Sequence, residues 1–216
     1  MALPTFLDFI LHIDTYLSTI IQRYGHITYL FLFIIIFCET GLVFAPFLPG
    51  DSLLFATGAL AAQHILNIWI ILPLFAIASI LGDSVNYYIG HHIGKRLSNN
   101  SKLVNPDHLK HTKQFYKKYG SKTIVLARFV PVVRTFAPFV AGIGEMNYPL
   151  FLTYNVLGGV LWVGLFIIGG YLFGNVQWVK DHFGIVLIGI IITSIIPAVI
   201  EFIRHRRAHA LSATEK

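Results

Sequence analysis

The sequence predicts an all-α integral membrane protein, built as a single membrane domain over residues 1–216. Hydrophobic residues make up 56% of the chain and charged residues only 12%, whereas a soluble domain is about 25% charged. Apolar runs long enough to form membrane helices recur along the chain, and two of them are interrupted by prolines and charged residues. Similar segments also occur in both halves. Together these observations predict an inverted repeat of amphipathic helix, re-entrant broken hairpin and transmembrane helix, plus a C-terminal transmembrane helix.

Repeat one is predicted to cover residues 5–94 and to contain three elements in order. They are an amphipathic helix, an apolar hairpin and a spanning helix, at residues 5–22, 26–62 and 65–90. The amphipathic helix carries polar side chains at helical spacing on one face, which favours a position in the membrane interface. If it spans instead, the amino terminus is cytoplasmic.

Repeat two is predicted to cover residues 105–174, and a final transmembrane helix to cover residues 183–203. The second repeat again contains an apolar hairpin and a spanning helix, at residues 123–148 and 150–173. Asn-Pro-Asp at 105–107 is a favourable helix start before that hairpin. The short stretch at 174–182 is predicted to be a connector.

Three pairs of similar segments occur in the same order in the two halves. They are R-Y-G-H-I-T-Y-L with K-Y-G-S-K-T-I-V-L at 23–30 and 118–126, F-A-P-F at 44–47 and 136–139, and G-x-x-x-G at 90–94 and 170–174. Between the first two pairs, Glu39 aligns with Arg134. One spanning helix per copy is an odd number, so the second copy is predicted to be upside down relative to the first.

Helix-breaking residues interrupt both apolar hairpins. They are Pro46, Pro49 and Gly50 in the first hairpin and Pro131, Pro138 and Gly142 in the second. Proline removes a backbone donor and obstructs helical continuation. Non-helical backbone at membrane depth is tolerated only when it is buried in protein or faces a water-filled cavity. Each hairpin is therefore predicted to turn inside the membrane, with its tip facing the tip of the other hairpin.

Basic residues concentrate in two segments of a chain whose net charge is +6. One is the loop at residues 95–122, and the other is the tail after the last apolar run, from Arg204 to Arg207. The positive-inside rule predicts that this loop and the carboxyl terminus are cytoplasmic. Topology accounts for the lysines and arginines without nucleic acid, and no nucleic-acid partner is predicted.

Five ionisable residues in the apolar segments are the candidate functional residues. The acids Glu39, Asp51 and Asp83 belong to the first copy, and the arginines Arg128 and Arg134 to the second. Such groups are expensive inside a membrane and mark ion or substrate pathways. Buried carboxyl groups suit proton coupling, and guanidinium groups suit a phosphate, which they bind bidentately. An internal ion pair that only holds the hairpins together is the structural alternative.

Other residues carry weaker signals. Asn155 and Trp162, on the helix after the second hairpin, are candidates for lining a cavity. The ten histidines form no ligand set, so neither a metal nor another cofactor is predicted. The sequence contains no nucleophile elbow, H-E-x-x-H motif or P-loop, and an enzyme is not predicted.

The segments that contain the five charged residues, together with one later motif, resemble the DedA family, which is related to the SNARE-associated Golgi protein group. These motifs are F-C-E-T-G-L-V-F-A-P-F-L-P-G-D-S-L-L-F, G-D-S-V-N-Y-Y-I-G, L-A-R-F-V-P-V-V-R-T-F-A-P-F-V-A-G and N-x-x-G-G-x-x-W. The resemblance implies a bacterial inner-membrane protein with two facing re-entrant hairpins and a dependence on the proton motive force. It implies that the family's essential acids are Glu39 and Asp51 here, and its essential arginines Arg128 and Arg134.

The resemblance and the charged residues together predict a proton-coupled lipid transporter or flippase. The implied substrate is a phosphate-bearing membrane lipid, either undecaprenyl phosphate or a phospholipid, moved for envelope homeostasis. Two alternatives stay open: a membrane-organising protein that transports nothing, and a proton-coupled transporter of a small molecule. Membrane lipids and protons are the expected partners, and a homo-oligomer is left open.

Overall fold

The structure is a computed structural model that describes residues 24–42, 50–99 and 122–190, and these residues form helices and short connections without any strand. The helices are α1 (Ile27–Gly41), α2 (Gly50–Ala62), α3 (Ile68–Asn99), α4 (Lys122–Ala127), α5 (Pro131–Ile143), α6 (Tyr148–Phe173), α7 (Gln177–Asp181) and α8 (183–190). Several sequence predictions lie outside the described residues: the helix at 5–22, Pro46, Pro49, most of the basic loop 95–122, and the end of the helix at 183–203.

Two of the described helices are long and apolar enough to cross a membrane. They are the Ile68–Ile93 part of α3 and the whole of α6, each 26 residues long. An asparagine precedes each helix and accepts a hydrogen bond from the first turn: Asn67 from the Trp69 amide at 2.9 Å, and Asn147 from the Leu150 amide at 3.3 Å. These spans agree with the predicted segments 65–90 and 150–173, and α3 continues helical to Asn99.

The other apolar helices are too short to span. Helices α1, α2 and α5 contain 15, 13 and 13 residues, whereas crossing the hydrocarbon core takes about 20. Every residue of α2 is buried, and the many small side chains of this helix allow neighbours to approach it from all sides. Helix α2 is therefore enclosed by protein, while α1 keeps one apolar face exposed, including Leu30, Phe31 and Ile34.

The second apolar hairpin is broken at one place rather than three. Helix α4 ends at Ala127 and α5 begins at Pro131, which occupies its first turn, where a missing N–H costs nothing. The prediction that Pro138 and Gly142 also break the chain is wrong, because both lie inside α5. A proline within a helix removes one backbone hydrogen bond, and α5 keeps its helical form here while packing against α3.

Gly142 serves close packing instead of a turn. A Cβ at this position would overlap the carbonyl oxygen of Tyr87 on α3. The same relation holds in reverse between α3 and α5, where a Cβ at Gly90 would overlap the carbonyl oxygen of Phe139. The backbones of α3 and α5 therefore lie closer together than side chains would permit.

An equivalent contact joins α6 to α2. A Cβ at Gly58 would overlap the carbonyl oxygen of Ile167, and a Cβ at Gly170 would overlap that of Phe55. Each spanning helix thus makes its closest contact with the second arm of the other hairpin: α3 with α5, and α6 with α2. Each spanning helix also packs on the first arm of its own hairpin, α3 on α1 and α6 on α4.

The second arms end in the same way at opposite ends of the spanning helices. In α2 the Ile65 amide donates to the Leu60 carbonyl, and His64 adopts a positive φ of 58°. After α5 the Met146 amide donates to the Ala141 carbonyl, and Glu145 has a φ of 54°. Both are Schellman motifs. The first lies beside the start of α3, whereas the second contacts α3 near Tyr87, whose hydroxyl donates to the Met146 carbonyl.

Candidate functional site

The five charged residues predicted from the sequence come together where α1, α2 and α5 meet the middle of α3 and α6. Glu39 is near the end of α1, Asp51 is in the first turn of α2, and Asp83 is on α3. Arg128 lies in the break between α4 and α5, and Arg134 is in the first turn of α5. The side chains are at most 11% exposed. The broken hairpins bring these groups to the interior because each carries its charges beside its break.

Arg134 binds both acids of the first hairpin. Its Nη1 lies 2.5 Å from Asp51 Oδ1, and its Nη2 donates to Glu39 Oε1. The guanidinium carbon also lies 4.8 Å from the centre of the Trp162 ring, which is a cation–π contact. The Trp162 indole donates to Asp51 Oδ1 at 2.9 Å. Arg134 is thus held by two carboxylates and one aromatic face, contributed by three different helices.

The Glu39 carboxylate fits against the start of α2 because position 50 is a glycine. A Cβ at Gly50 would overlap both carboxylate oxygens of Glu39. The amino end of a helix presents free N–H groups and a partial positive charge, which favours an anion there. Gly50, predicted only as a hairpin breaker, therefore also makes room for one of the acids.

Arg128 occupies a separate and more enclosed set of contacts. Its Nη2 donates to Asp83 Oδ2 and to Asn155 Oδ1, and its Nη1 lies 3.4 Å from Ser79 Oγ. The side chain is 4% exposed. The Asn155 amide nitrogen donates to the Ile80 carbonyl at 3.0 Å, which fixes the orientation that its oxygen presents to Arg128.

One face of α6 serves both arginines. Asn155 contacts Arg128, and Trp162, seven residues later on the same face, contacts Arg134 and Asp51. Between them, Gly158 leaves space for Arg128, whose Cδ would lie 2.9 Å from a Cβ there, and a Cβ at Gly159 would lie 3.1 Å from Ser79 Oγ. Both residues predicted to line a cavity are buried and engage the charged residues directly, and the glycines between them admit the guanidinium.

A polar stripe on α3 completes the site and was missed as a set in the sequence. Ser79 contacts Arg128, Asp83 pairs with Arg128, and Asn86 donates to backbone carbonyls of α1 and α5. Their spacing of four and three residues places them on one face of α3. This spacing is the signal that could have identified Ser79 and Asn86, because residues 68–78 before them are all apolar.

The site carries more acid than base. Three carboxyl groups, those of Glu39, Asp51 and Asp83, face two guanidinium groups. With all five ionised, the cluster has one excess negative charge, and a single bound proton would neutralise it. Among the described residues, no group of three or more His, Cys, Asp and Glu side chains is arranged to hold a metal ion.

An apolar groove of about 840 Å³ runs along α3 and α6 beside the site. Its lining consists of apolar side chains and glycines, from Leu72 to Ala76 on α3 and from Val160 to Phe173 on α6. Two lining residues are close in sequence to residues of the site: Ala76 is three residues before Ser79 on α3, and Val163 follows Trp162 on α6. The groove and the charged site therefore share the same two spanning helices.

Comparison with known proteins finds one domain family and several bacterial relatives. The VTT domain family matches residues 48–172. Protein DedA of Escherichia coli strain K12 is 54% identical over 211 residues, covering 96% of each chain. An uncharacterized membrane protein of Mycobacterium leprae is 43% identical over 169 residues, covering 77% of this chain and 76% of its own. Inner membrane protein YqjA of Escherichia coli strain K12 is 34% identical over 149 residues, covering 68% of each. No solved structure matches significantly.

Proposed function

The chain belongs to the VTT domain family, the DedA family of membrane proteins, and from this premise we propose that it is a proton-coupled transporter of a phosphate-bearing lipid. The observation that carries the proposal is the buried Arg134, whose ligands are the two acids Glu39 and Asp51. A lipid phosphate, like a carboxylate, can bind a guanidinium through two oxygens and would compete for Arg134.

Proton binding would allow a phosphate to replace a carboxylate on Arg134. The cluster has one excess negative charge, so an entering phosphate anion would raise the repulsion further. Protonation of Glu39 or Asp51 weakens the hold of that acid on Arg134 and removes the excess charge. The proton motive force would then favour loading from the side where protons are abundant, and loss of the proton would return Arg134 to its carboxylates and release the lipid.

The apolar groove supports a lipid rather than a small polar substrate. A lipid with one phosphate needs a charged contact for its head and apolar surface for its tail, and the groove lies on the same two helices, α3 and α6, that contribute to the charged site. Its volume of about 840 Å³ lies within the range of ligand sites. Undecaprenyl phosphate and phospholipids both fit this description.

We further propose that the two halves are an inverted repeat with re-entrant hairpins. The short lengths of α1, α2 and α5, the enclosed α2, and the paired contacts of α3 with α5 and α6 with α2 support this arrangement. The hairpins then enter from opposite membrane faces and share one site at mid-depth, as inverted-repeat transporters do. We place the protein in the bacterial inner membrane, the location in the name of the relative YqjA, with the loop 95–122 and the carboxyl terminus cytoplasmic.

The test is lipid movement in liposomes that contain the purified protein. Labelled undecaprenyl phosphate and a labelled phospholipid are followed between leaflets, with and without a pH gradient. Protein-dependent movement of either lipid, accelerated by the gradient, is expected for the natural sequence. Glu39→Gln and Arg134→Ala are expected to abolish it.

Matched controls separate the site from general charge effects. Lys122→Ala removes an exposed cation from the same hairpin as Arg128, and Glu145→Gln neutralises an exposed acid. Both should transport normally. Intact transport by both Glu39→Gln and Arg134→Ala would refute the proposed site. Absence of any protein-dependent lipid movement would favour a membrane-organising role instead.

A further inference from the structure

Asn86 joins the two hairpins at the backbone. This residue lies on α3 one turn after Asp83 and is fully buried. Its Nδ2 lies 2.7 Å from the Thr135 carbonyl oxygen on α5 and 3.3 Å from the Thr40 carbonyl oxygen on α1. A single side-chain amide therefore uses its two N–H groups on two different hairpins.

Both acceptors are next to the central ion pair. Thr40 follows Glu39, and Thr135 follows Arg134. Because Glu39 and Arg134 bind each other through their side chains, Asn86 makes a second connection between the same two backbone segments. Because Asn86 binds both carbonyls at once, its two hydrogen bonds limit how far Glu39 can move from Arg134.

One of the two carbonyls is available for a local reason. Thr40 is the penultimate residue of α1, where the last carbonyls of a helix lack partners within the helix. On α5, Pro138 lacks the N–H that would donate to the Arg134 carbonyl, so the hydrogen-bond ladder is interrupted one residue before Thr135. Asn86 therefore binds the carbonyl next to this interruption.

The amide is poorly suited to a purely stabilising role. Asn86 Oδ1 is buried, and no donor from residues 24–42, 50–99 or 122–190 reaches it. An unpaired buried carbonyl costs free energy that an apolar side chain at this position would avoid. The two hydrogen bonds that Asn86 donates, rather than a net gain in stability, therefore explain why an amide side chain occupies this position.

We propose that Asn86 is a positioning residue that holds the two hairpins in the arrangement in which Glu39 binds Arg134. The role rests on the proposed transport function, because release of a lipid head from Arg134 requires this arrangement to re-form. Loss of the amide donors lets the end of α1 and the start of α5 separate, and shifts the protein toward an arrangement in which Glu39 and Arg134 are apart. The same loss leaves the ion-pair residues themselves unchanged.

The experiment directly measures the separation between the end of α1 and the start of α5. Cys38, the single native cysteine, is replaced by serine, and spin labels are placed at Leu42 and Val133, which are 50% and 43% exposed. The distribution of distances between the labels is recorded by pulsed electron resonance in lipid nanodiscs, without any added substrate. Asn86→Leu removes both donors while keeping the number and branching of the side-chain heavy atoms, and Asn86→Gln keeps both donors.

In Asn86→Leu the ratio of long to short distances is expected to rise about tenfold, the effect of about 1.4 kcal/mol. Asn86→Gln is expected to restore most of the short-distance population. The control is Asn175→Leu, which removes an asparagine whose amide donates to the Ala62 carbonyl at 3.0 Å, away from the ion pairs. The control should leave the distances unchanged.

An unchanged distance distribution in folded Asn86→Leu would overturn the proposal, whatever the transport assay gives. If Asn86→Leu does not fold, Asn86→Ala, which leaves a cavity instead of a clash, is measured against the same expectation. If the label distances change in Asn86→Leu but the natural sequence moves no lipid, the positioning role of Asn86 stands and the transport function is refuted. The two ideas therefore fail separately.

Discussion

Arg128 and Arg134 look alike in the sequence but occupy different surroundings. Arg128 is enclosed by Asp83, Asn155 and Ser79, with glycines of α6 against its stem. Arg134 is the more exposed of the two and faces two carboxylates and an aromatic ring. Arg134 is better placed to exchange ligands, whereas Arg128 ties α3, α6 and the second hairpin together.

This difference predicts that loss of Arg128 mainly costs stability. Arg128→Ala leaves Asp83 buried without its partner, which should destabilise the fold by about 3–5 kcal/mol. The double variant Arg128→Met with Asp83→Leu removes both charges and should recover most of that loss. Thermal unfolding in detergent, followed by loss of soluble protein, measures both. Equal destabilisation of the single and double variants would contradict the pair as the cause.

The sequence identified all five charged residues, because an ionisable group in an apolar segment stands out whatever its partner. The pairing could not be predicted. Glu39 aligned with Arg134 and does bind it, but nothing in the sequence assigned Asp83 to Arg128. The hydrogen bond from Trp162 to Asp51 was equally hidden, since it depends on how α6 lies against α2.

At the scale of elements, close contacts between helix backbones fix α2 against α6 and α5 against α3. Gly58 and Gly170 bring α2 against α6, and Gly90 and Gly142 bring α3 against α5. The absence of side chains at these positions allows direct backbone contact. Small residues of this kind replace the hydrophobic driving force that membrane helices lack.

Adjacent glycines on α6 allow a matched test of this packing. Gly170→Ala places a Cβ on the Phe55 carbonyl and should destabilise the fold by about 1–3 kcal/mol through overpacking. Gly169→Ala meets no atom within 4 Å and should be neutral or slightly stabilising, because alanine favours a helix. Comparing the two unfolding temperatures checks the claim. A Gly170→Ala variant as stable as Gly169→Ala would show that the crossing is not tight.

The elements were predicted best where apolar length alone decides them. The spanning helices follow from their long uninterrupted runs, and the break before Pro131 follows from its lack of an N–H. Pro138 and Gly142 were misjudged because residues that would break an isolated helix can be accommodated in a helix that packs closely against a neighbour. Which role applies depends on the neighbouring helix, here α3, and local sequence does not contain that information.

At the scale of the whole molecule, the ends of α2 and α5 lie at opposite ends of α3. The turn at His64 is beside the start of α3, and the turn at Glu145 is near Tyr87, toward its other end. In the proposed topology, in which α3 crosses the membrane, the two turns face opposite sides. The sequence repeats predict two related halves, but they gave no indication that each spanning helix packs on the other hairpin's second arm.

The proposed topology predicts opposite labelling of these two exposed turns. In a Cys38→Ser background, His64→Cys should react with an impermeant thiol reagent added outside intact cells. Glu145→Cys should react only after the cytoplasmic side is opened. Labelling of both cysteines from the same side would contradict the inverted arrangement of the hairpins.

The central claim is that Arg134 and its surrounding acids bind a lipid phosphate. Trp162 reports on this site because it stacks on Arg134 and donates to Asp51. The other two tryptophans, Trp69 and Trp178, are largely exposed and are replaced by phenylalanine. The remaining fluorescence is then followed while a lipid phosphate is added, with the corresponding lipid alcohol as control.

Undecaprenyl phosphate or a phosphatidic acid should change the Trp162 emission in a saturable way, while undecaprenol or a diacylglycerol should not. Arg134→Ala should remove the response to the phosphate. The same response to phosphate and alcohol, or none to either in folded protein, would contradict binding of a lipid phosphate at this site.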